Sequence, residues 1–259
     1  MVRAKKHLGQ HFLKDKNIAA KIVNGLTHHD GYKKVLEIGP GTGVLTQFLL
    51  EKKEFETTVI ELDKESVVYL KQNFLQLNDR IIEGDFLHFD LDTFTKEKMA
   101  IIGNFPYNIS TQILFKVFEN RGRVCEVVGM FQREVARRIA SPPGSKEYGI
   151  LSVLLQTFYK CEYLFTVDEH VFIPPPKVKS GVIRLTRNNV ETLDCNELVY
   201  VNVIKTSFNH RRKTLWNSLQ PIIADLKCDR EMAIFKKRPE QLSVREFIDL
   251  TKYIESFDS

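Results

Sequence analysis

The stretch Val35-Leu36-Glu37-Ile38-Gly39-Pro40-Gly41-Thr42-Gly43-Val44-Leu45-Thr46 decides the fold. An apolar run of strand type meets three alternating glycines and then a helical pattern, so the chain passes abruptly from a buried strand into a helix. Glycines at such a bend adopt positive φ and let the backbone approach a ligand more closely than a Cβ would allow. Dinucleotide-binding turns of this kind are usually spaced GxGxxG. Here the spacing is GxGxG with Glu37 just before it, and an unliganded strand-to-helix turn is the ordinary alternative for the segment taken alone.

Outward from this turn, short apolar runs alternate with helical patterns from Lys33 to Arg187, the mark of βαβ units and a mostly parallel sheet. Strands are predicted at 34–38, 57–62, 80–84, 99–104 and 124–131, with helices over 44–51, 64–76 and 111–119. A last pair near 157–167 and 178–186 has only the proline-rich FIPPPKV (172–178) between its members, which predicts an antiparallel hairpin. Parallel strands ending in such a hairpin describe an α/β class I (Rossmann-like) methyltransferase sheet better than a plain nucleotide-binding one. From Asn188 the β-branched runs stop, and Val201, Ile204, Phe208, Leu215 and Leu219 are spaced for one helical face. The expected organisation is a catalytic domain over 1–187 and a small all-α domain over 188–259.

With 43% hydrophobic and 10% aromatic residues, the composition excludes disordered and collagenous chains. The 38 Lys+Arg and 33 Asp+Glu leave a formal charge of +5, too small to name a partner. Its placement says more: nine cations lie between Lys205 and Arg238 against Asp225, Asp229 and Glu231, and six lie in the first 21 residues against Asp15. Cys125, Cys161, Cys195 and Cys228 are too scattered for a disulfide framework or a zinc site, so no metal is expected. No apolar run is long enough to span a bilayer and the basic N-terminal stretch has no signal-peptide core, so the expectation is a cytoplasmic protein without a membrane partner.

Acids stand at successive strand ends. Glu61 in VIELD suits a ribose diol, whether of NAD or of S-adenosylmethionine, and Asp85 in EGDF suits the exocyclic amine of an adenine. The decisive motif is GNFPYNIST (103–111), the Asn-X-Pro-aromatic signature of enzymes that methylate exocyclic amines. Such a nitrogen is a poor nucleophile because its lone pair is delocalised into the ring. The Asn104 oxygen and a backbone carbonyl near Phe105 can accept its two N–H bonds, Pro106 stiffens the loop, and Tyr107 offers a face for an extruded base. Orientation, not a strong base, then supplies much of the rate.

The chain resembles, over nearly its whole length, the small-subunit ribosomal RNA adenine dimethyltransferases of the KsgA type. GQHFL (9–13), EIGPGTG, VIELD, GDF and GNFPYNIST follow in the family's order, and MFQREVARRI (130–139), SPPGSKEYGILSVLLQ (141–156), VFIPPPKVKSGVIRL (171–185) and SFNHRRKTLWNSL (207–219) complete it. The resemblance implies transfer of four methyl groups from S-adenosylmethionine to N6 of two adjacent adenosines near the 3′ end of the small-subunit rRNA, with a role in subunit biogenesis. It implies cofactor contacts at His11, Leu13, Gly39, Gly41, Glu61, Asp85 and Asn104, and a target pocket of Asn104, Pro106, Tyr107 and Phe172, with Phe172 closing over the base. His11 stands where the family usually has Asn, and Phe105 where it usually has Leu.

Beside such a domain, NHRRK (209–213), expected within a helical stretch, points to phosphate contacts through Arg211, Arg212 and Lys213; for Arg133 and Arg137 two readings stand level, flanking the RNA or sharing an exposed helix face. The expected partners are the small ribosomal subunit and its rRNA, with the protein itself monomeric. The alternatives are a large-subunit rRNA methyltransferase of the macrolide-resistance type, disfavoured by GQHFL, PPPKV and NHRRKTLWNSL, an assembly factor whose catalysis is secondary, and, more distantly, a nicotinamide dehydrogenase.

Overall fold

The computed structural model describes residues 2–257. Its strands are β1 (Phe12–Leu13), β2 (Lys34–Ile38), β3 (Glu56–Glu61), β4 (Ile81–Glu83), β5 (Met99–Asn104), β6 (Val124–Gln132), β7 (Tyr159–Val167), β8 (Phe172–Ile173) and β9 (Ser180–Arg187). Seven of them form one sheet in the order β4-β3-β2-β5-β6-β9-β7. The pairs from β4 to β6 are parallel, whereas β9 runs antiparallel to both β6 and β7. The expected terminal hairpin is therefore present, with its second strand inserted between the first and the parallel strands. The order in which strands are added to the sheet reverses beside β2, whose neighbours are β3 and β5, and open α/β sheets bind ligands at the carboxyl ends of strands at such a point.

The central strands are buried on both faces, which explains why MAIIGN and VCEVVGMF read as unbroken apolar runs without alternation. Local chemistry starts the helices. The Asp15 carboxylate accepts from two amides at the head of Lys16–Val23, Asp63 accepts from Glu65 at the head of Lys64–Asn73, and Ser243 and Glu246 close a capping box on Val244–Glu255. After the glycine turn, the helix expected over 44–51 is regular only over Thr46–Leu49. Among the described residues, no helix is long and apolar enough to cross a membrane.

The chain divides into two compact units. The first runs to Arg137 and resumes over Tyr159–Arg187; the second comprises Arg138–Phe158 and the chain from Asn188 onward. A single boundary at 187 thus misses a segment that belongs with the C-terminal helices. The helix Ile150–Phe158 is apolar on most of its surface, and it packs on Glu197–Asn209 and Val244–Glu255, where Thr157 Oγ1 and the Tyr200 hydroxyl meet at 2.7 Å. The NHRRK segment also differs from expectation: the helix stops at Asn209, and residues 210–213 form a turn closed by the Lys213 amide on the His210 carbonyl at 2.8 Å.

One packing detail fixes the strand end that carries the Asn-X-Pro-aromatic motif. The Phe105 ring is 1% exposed and lies over Gly129 of β6, where an added Cβ would come within 2.2 Å of it, and edge-on to Phe131 at 5.0 Å. Gly129→Ala should therefore destabilise the fold by about 2 kcal/mol, because the backbone and two rings cannot all move aside. Phe105→Leu in the same chain should recover at least half of that loss. Chemical denaturation of the single and double variants checks this, and a double variant no more stable than Gly129→Ala would contradict the packing described.

Candidate active site

The carboxyl ends of β2, β3, β4 and β5 open into a cleft with about 920 Å³ of open space. Ile38, Ile60, Leu62 and Phe86 give it apolar walls, the glycine turn and Glu61 form its floor, and Asp85 and Asn104–Ile109 border its sides. Leu8–Phe12 cover it from the N-terminal arm. Of the sequence-predicted cofactor residues, His11, Gly39, Gly41, Glu61, Asp85 and Asn104 all line this space. Leu13 does not; it is buried in the core and borders a smaller adjoining recess that it shares with Glu37, Gly39 and Asn104.

Glu61 is 4% exposed and accepts one backbone amide on each oxygen, Gly41 N and Asp63 N, both at 2.9 Å. Burial raises its pKa, and those two amides oppose the rise. Each oxygen keeps a second lone pair, so the carboxylate still offers two acceptors to a vicinal diol. Gly41 makes this possible, because at φ +55° an added Cβ would strike the Phe12 ring of the arm at 2.7 Å. Asp85 is held by the Leu87 amide and by His88 Nδ1, each at 2.9 Å.

Glu37 is buried and accepts from Thr46 Oγ1 at 2.6 Å. Burial and the neighbouring Glu61 charge push its pKa up to about 8, against the opposing Thr46 bond. It is thus a second acid beneath the glycine turn, opening onto the recess beside Asn104.

Three contacts fix the side of the cleft that carries Asn104 and Tyr107. Asn104 Nδ2 donates to the His11 carbonyl at 2.8 Å, and because that carbonyl only accepts, the Asn104 oxygen must lie on the other branch of the amide. The His11 ring bonds through Nδ1 to the Pro174 carbonyl at 2.8 Å, with its centroid 5.6 Å from that of Tyr107. The Tyr107 hydroxyl meets Ser180 Oγ at 2.5 Å; burial raises the phenol pKa and the Ser180 bond opposes it. The ring faces the cleft from a fixed position, and Pro106 borders the cleft beside it.

Phe172 departs from expectation. It is 2% exposed and packs with Leu13, Val171 and Val182 in the core, while Ile173 is 59% exposed. The cause is alternation in β8, which pairs with β1 through Leu13↔Phe172 and Phe12↔Ile173, so that the side chain next to Leu13 points inward. The aromatic ring beside Tyr107 is His11 instead. The β1–β8 pairing itself had no sequence signal, since two-residue strands carry no periodicity.

Comparison with known proteins agrees with this geometry. The family model described as ribosomal RNA adenine dimethylase matches residues 1–255. The chain belongs to this family. It is 60% identical to the ribosomal RNA small subunit methyltransferase A of Cytophaga hutchinsonii, over 98% of each chain, and 57% identical to that of Flavobacterium johnsoniae, over 98% of this chain and 97% of the relative. A solved dimethyladenosine transferase from Plasmodium falciparum superposes with TM-score 0.79 at 25% identity, over 96% of this chain and 98% of the other. The 23S rRNA methyltransferase ErmE shares the fold, with TM-score 0.67 at 24% identity over 93% and 99%.

The basic residues singled out in the sequence are disposed as follows in this member of the adenine dimethylase family. Arg133 and Arg137 are exposed on the helix Arg133–Ala140. Arg212 and Lys213 are exposed in the turn, whereas Arg211 is half-buried, with Nη2 at 3.3 Å from the Ser145 carbonyl and Nε at 4.0 Å from Glu240.

The raised Glu37 pKa has a consequence for stability. Below pH 4.5 Glu37 is neutral folded and unfolded; between 4.5 and about 8 only the unfolded chain ionises, so its contribution to stability is lost as pH rises through that window. Glu37→Gln should therefore match wild type near pH 4.5 and exceed it at pH 9 by up to about 4 kcal/mol in the ligand-free protein. Urea unfolding across this range decides it, and an offset independent of pH would contradict the assignment.

Proposed function

We propose that the protein uses S-adenosylmethionine to dimethylate N6 of two adjacent adenosines near the 3′ end of small-subunit rRNA, acting as a cytoplasmic monomer during subunit biogenesis. The observation that carries the reading is the bond from Asn104 Nδ2 to the His11 carbonyl, which fixes the amide and leaves its oxygen as an acceptor beside a cleft whose carboxylates and apolar walls suit this cofactor. That cleft joins a buried carboxylate for a diol, apolar walls for a flat base and a second acid at its end, and it contains no cation that would repel a sulfonium. The cofactor supplies an electrophilic methyl group when bound; the other contributions are those of the chain.

Glu61 would hold the ribose hydroxyls and Asp85 the adenine amine. On the reaction side, Asn104 Oδ1 and the Phe105 carbonyl accept the two N–H bonds of the target amine, which favours a pyramidal nitrogen with its lone pair exposed. Tyr107, fixed by Ser180, gives the turned-out base a stacking face, and the His11 ring closes its flank, the place sequence reasoning assigned to Phe172. No strong base is needed, since the nitrogen becomes acidic once it gains a methyl group. A loop in the RNA suits this best, because unstacking costs least where the base is unpaired. Arg212 and Lys213 would meet phosphates, while Arg133 and Arg137 offer a second basic surface.

Sequence likeness to small-subunit enzymes far exceeds that to the large-subunit one, which sets the choice of rRNA. Mass spectrometry of small-subunit rRNA from cells lacking the protein should show loss of dimethyladenosine, restored by wild type and not by Asn104→Ala. Dimethyladenosine that persisted without the protein would overturn the reading. For the basic turn, Arg212→Gln with Lys213→Gln should lower the slope of log affinity against log salt by about 1.5 for RNA, leaving cofactor affinity within twofold. An unchanged slope would remove that turn from the RNA surface.

A further inference from the structure

The helix Ser110–Glu119 starts directly after the Asn104–Ile109 loop, and one of its side chains meets the backbone of the loop that follows β4. Lys116 Nζ lies 2.7 Å from the Phe86 carbonyl, 3.0 Å from that of Leu87 and 2.5 Å from that of Phe89. An ammonium has three protons, and here each has a backbone acceptor in one short loop. The same nitrogen sits 5.1 Å from the centroid of the Phe86 ring. Burial lowers the Lys116 pKa, and the charges of Asp85, Asp90 and Glu119 counteract it. A half-desolvated cation that spends all its protons on carbonyls costs more to place than a solvated one, so the arrangement is not a surface charge that happens to fold back.

The loop it holds is the one that presents Asp85, Phe86 and Leu87 to the cleft. Its conformation is not set by the sheet, since β4 ends at Glu83. Asp85 is aimed by the amide of Leu87, whose own carbonyl is one of the three that Lys116 binds. We infer that Lys116 is a positioning residue for the adenine end of the cofactor cleft: it fixes the 85–89 loop, and with it the Asp85 carboxylate, to the helix that follows the target-base loop. The inference rests on the reading of this cleft as the S-adenosylmethionine site. It explains a lysine at a position where the amphipathic helix would otherwise place any exposed residue.

The test compares wild type, Lys116→Met and Lys116→Arg in the full chain by calorimetric titration with S-adenosylmethionine and with methylthioadenosine, which keeps the adenosine and lacks the amino-acid tail. Lys116→Met should weaken both ligands by the same factor, about tenfold, and raise the KM for the cofactor far more than it lowers kcat. Lys116→Arg, whose planar fork cannot meet three carbonyls at once, should fall between the two. Hydrogen exchange of the 85–89 amides, measured without ligand, should speed up in both variants while the sheet amides keep their protection. Unchanged affinity, a loss confined to S-adenosylmethionine, or loop amides that exchange as in wild type would each overturn the assignment. If Lys116→Met does not fold, Lys116→Arg carries the same comparison. Wild type that bound neither ligand would refute the cofactor reading alone, and the exchange experiment would still decide whether Lys116 holds the loop.

Discussion

The hydrogen bond from the Gly41 amide to the Glu61 carboxylate ties together what the rest of the site depends on. It places the carboxyl end of β3 against the glycine turn that follows β2, two strands whose register is already fixed by parallel pairing from Lys34↔Glu56 to Ile38↔Ile60. A carboxylate this deeply buried is tolerable only with donors at hand, and the turn supplies one while the Asp63 amide supplies the other. The requirement runs in both directions. Without the acid the turn's amide would have no partner, and without positive φ at Gly41 the amide would not point inward. Glu37, one strand over, repeats the problem with a single hydroxyl donor, and its pKa rises accordingly.

Much of this was legible in the sequence, because it is written in features with a period or a fixed spacing. The parallel strands, the closing hairpin and the acids at strand ends follow from apolar runs and from glycine placement. What escaped lacks such marks. The β1–β8 pairing is two residues long, so nothing predicted that Phe172 would face the core beside Leu13 and leave the aromatic place next to Tyr107 to His11. The grouping of Arg138–Phe158 with the C-terminal helices is likewise tertiary: the apolar surface of Ile150–Phe158 reads the same whatever it packs on. NHRRK was read as helix because polar residues do not show where periodicity ends; the backbone leaves the helix at His210.

The N-terminal arm shows how a segment with little regular structure becomes part of a cleft wall. Lys5 pairs with Asp63, the residue whose amide steadies Glu61, and His11 is held at its carbonyl by Asn104 and at its ring by Pro174. The arm is thereby fastened at one end beside Glu61 and at the other to Asn104 and Pro174. Its order is tied to that of the Asn104 amide, whose Nδ2 donates to the His11 carbonyl of the arm.

Phe105 shows how the sheet holds the strand end that carries the Asn-X-Pro-aromatic motif. The structure turns the Phe105 side chain away into a slot floored by Gly103 and Gly129, where a Cβ would come within 2.7 Å and 2.2 Å of the ring. The Phe105 ring is thus seated against one glycine of the motif itself, Gly103 of β5, and against its sheet partner Gly129 of the neighbouring β6. A ring of this size fits at the strand end only because both facing positions are glycine, so residues 103, 105 and 129 act as one packing unit: neither glycine can gain a Cβ while Phe105 keeps its place.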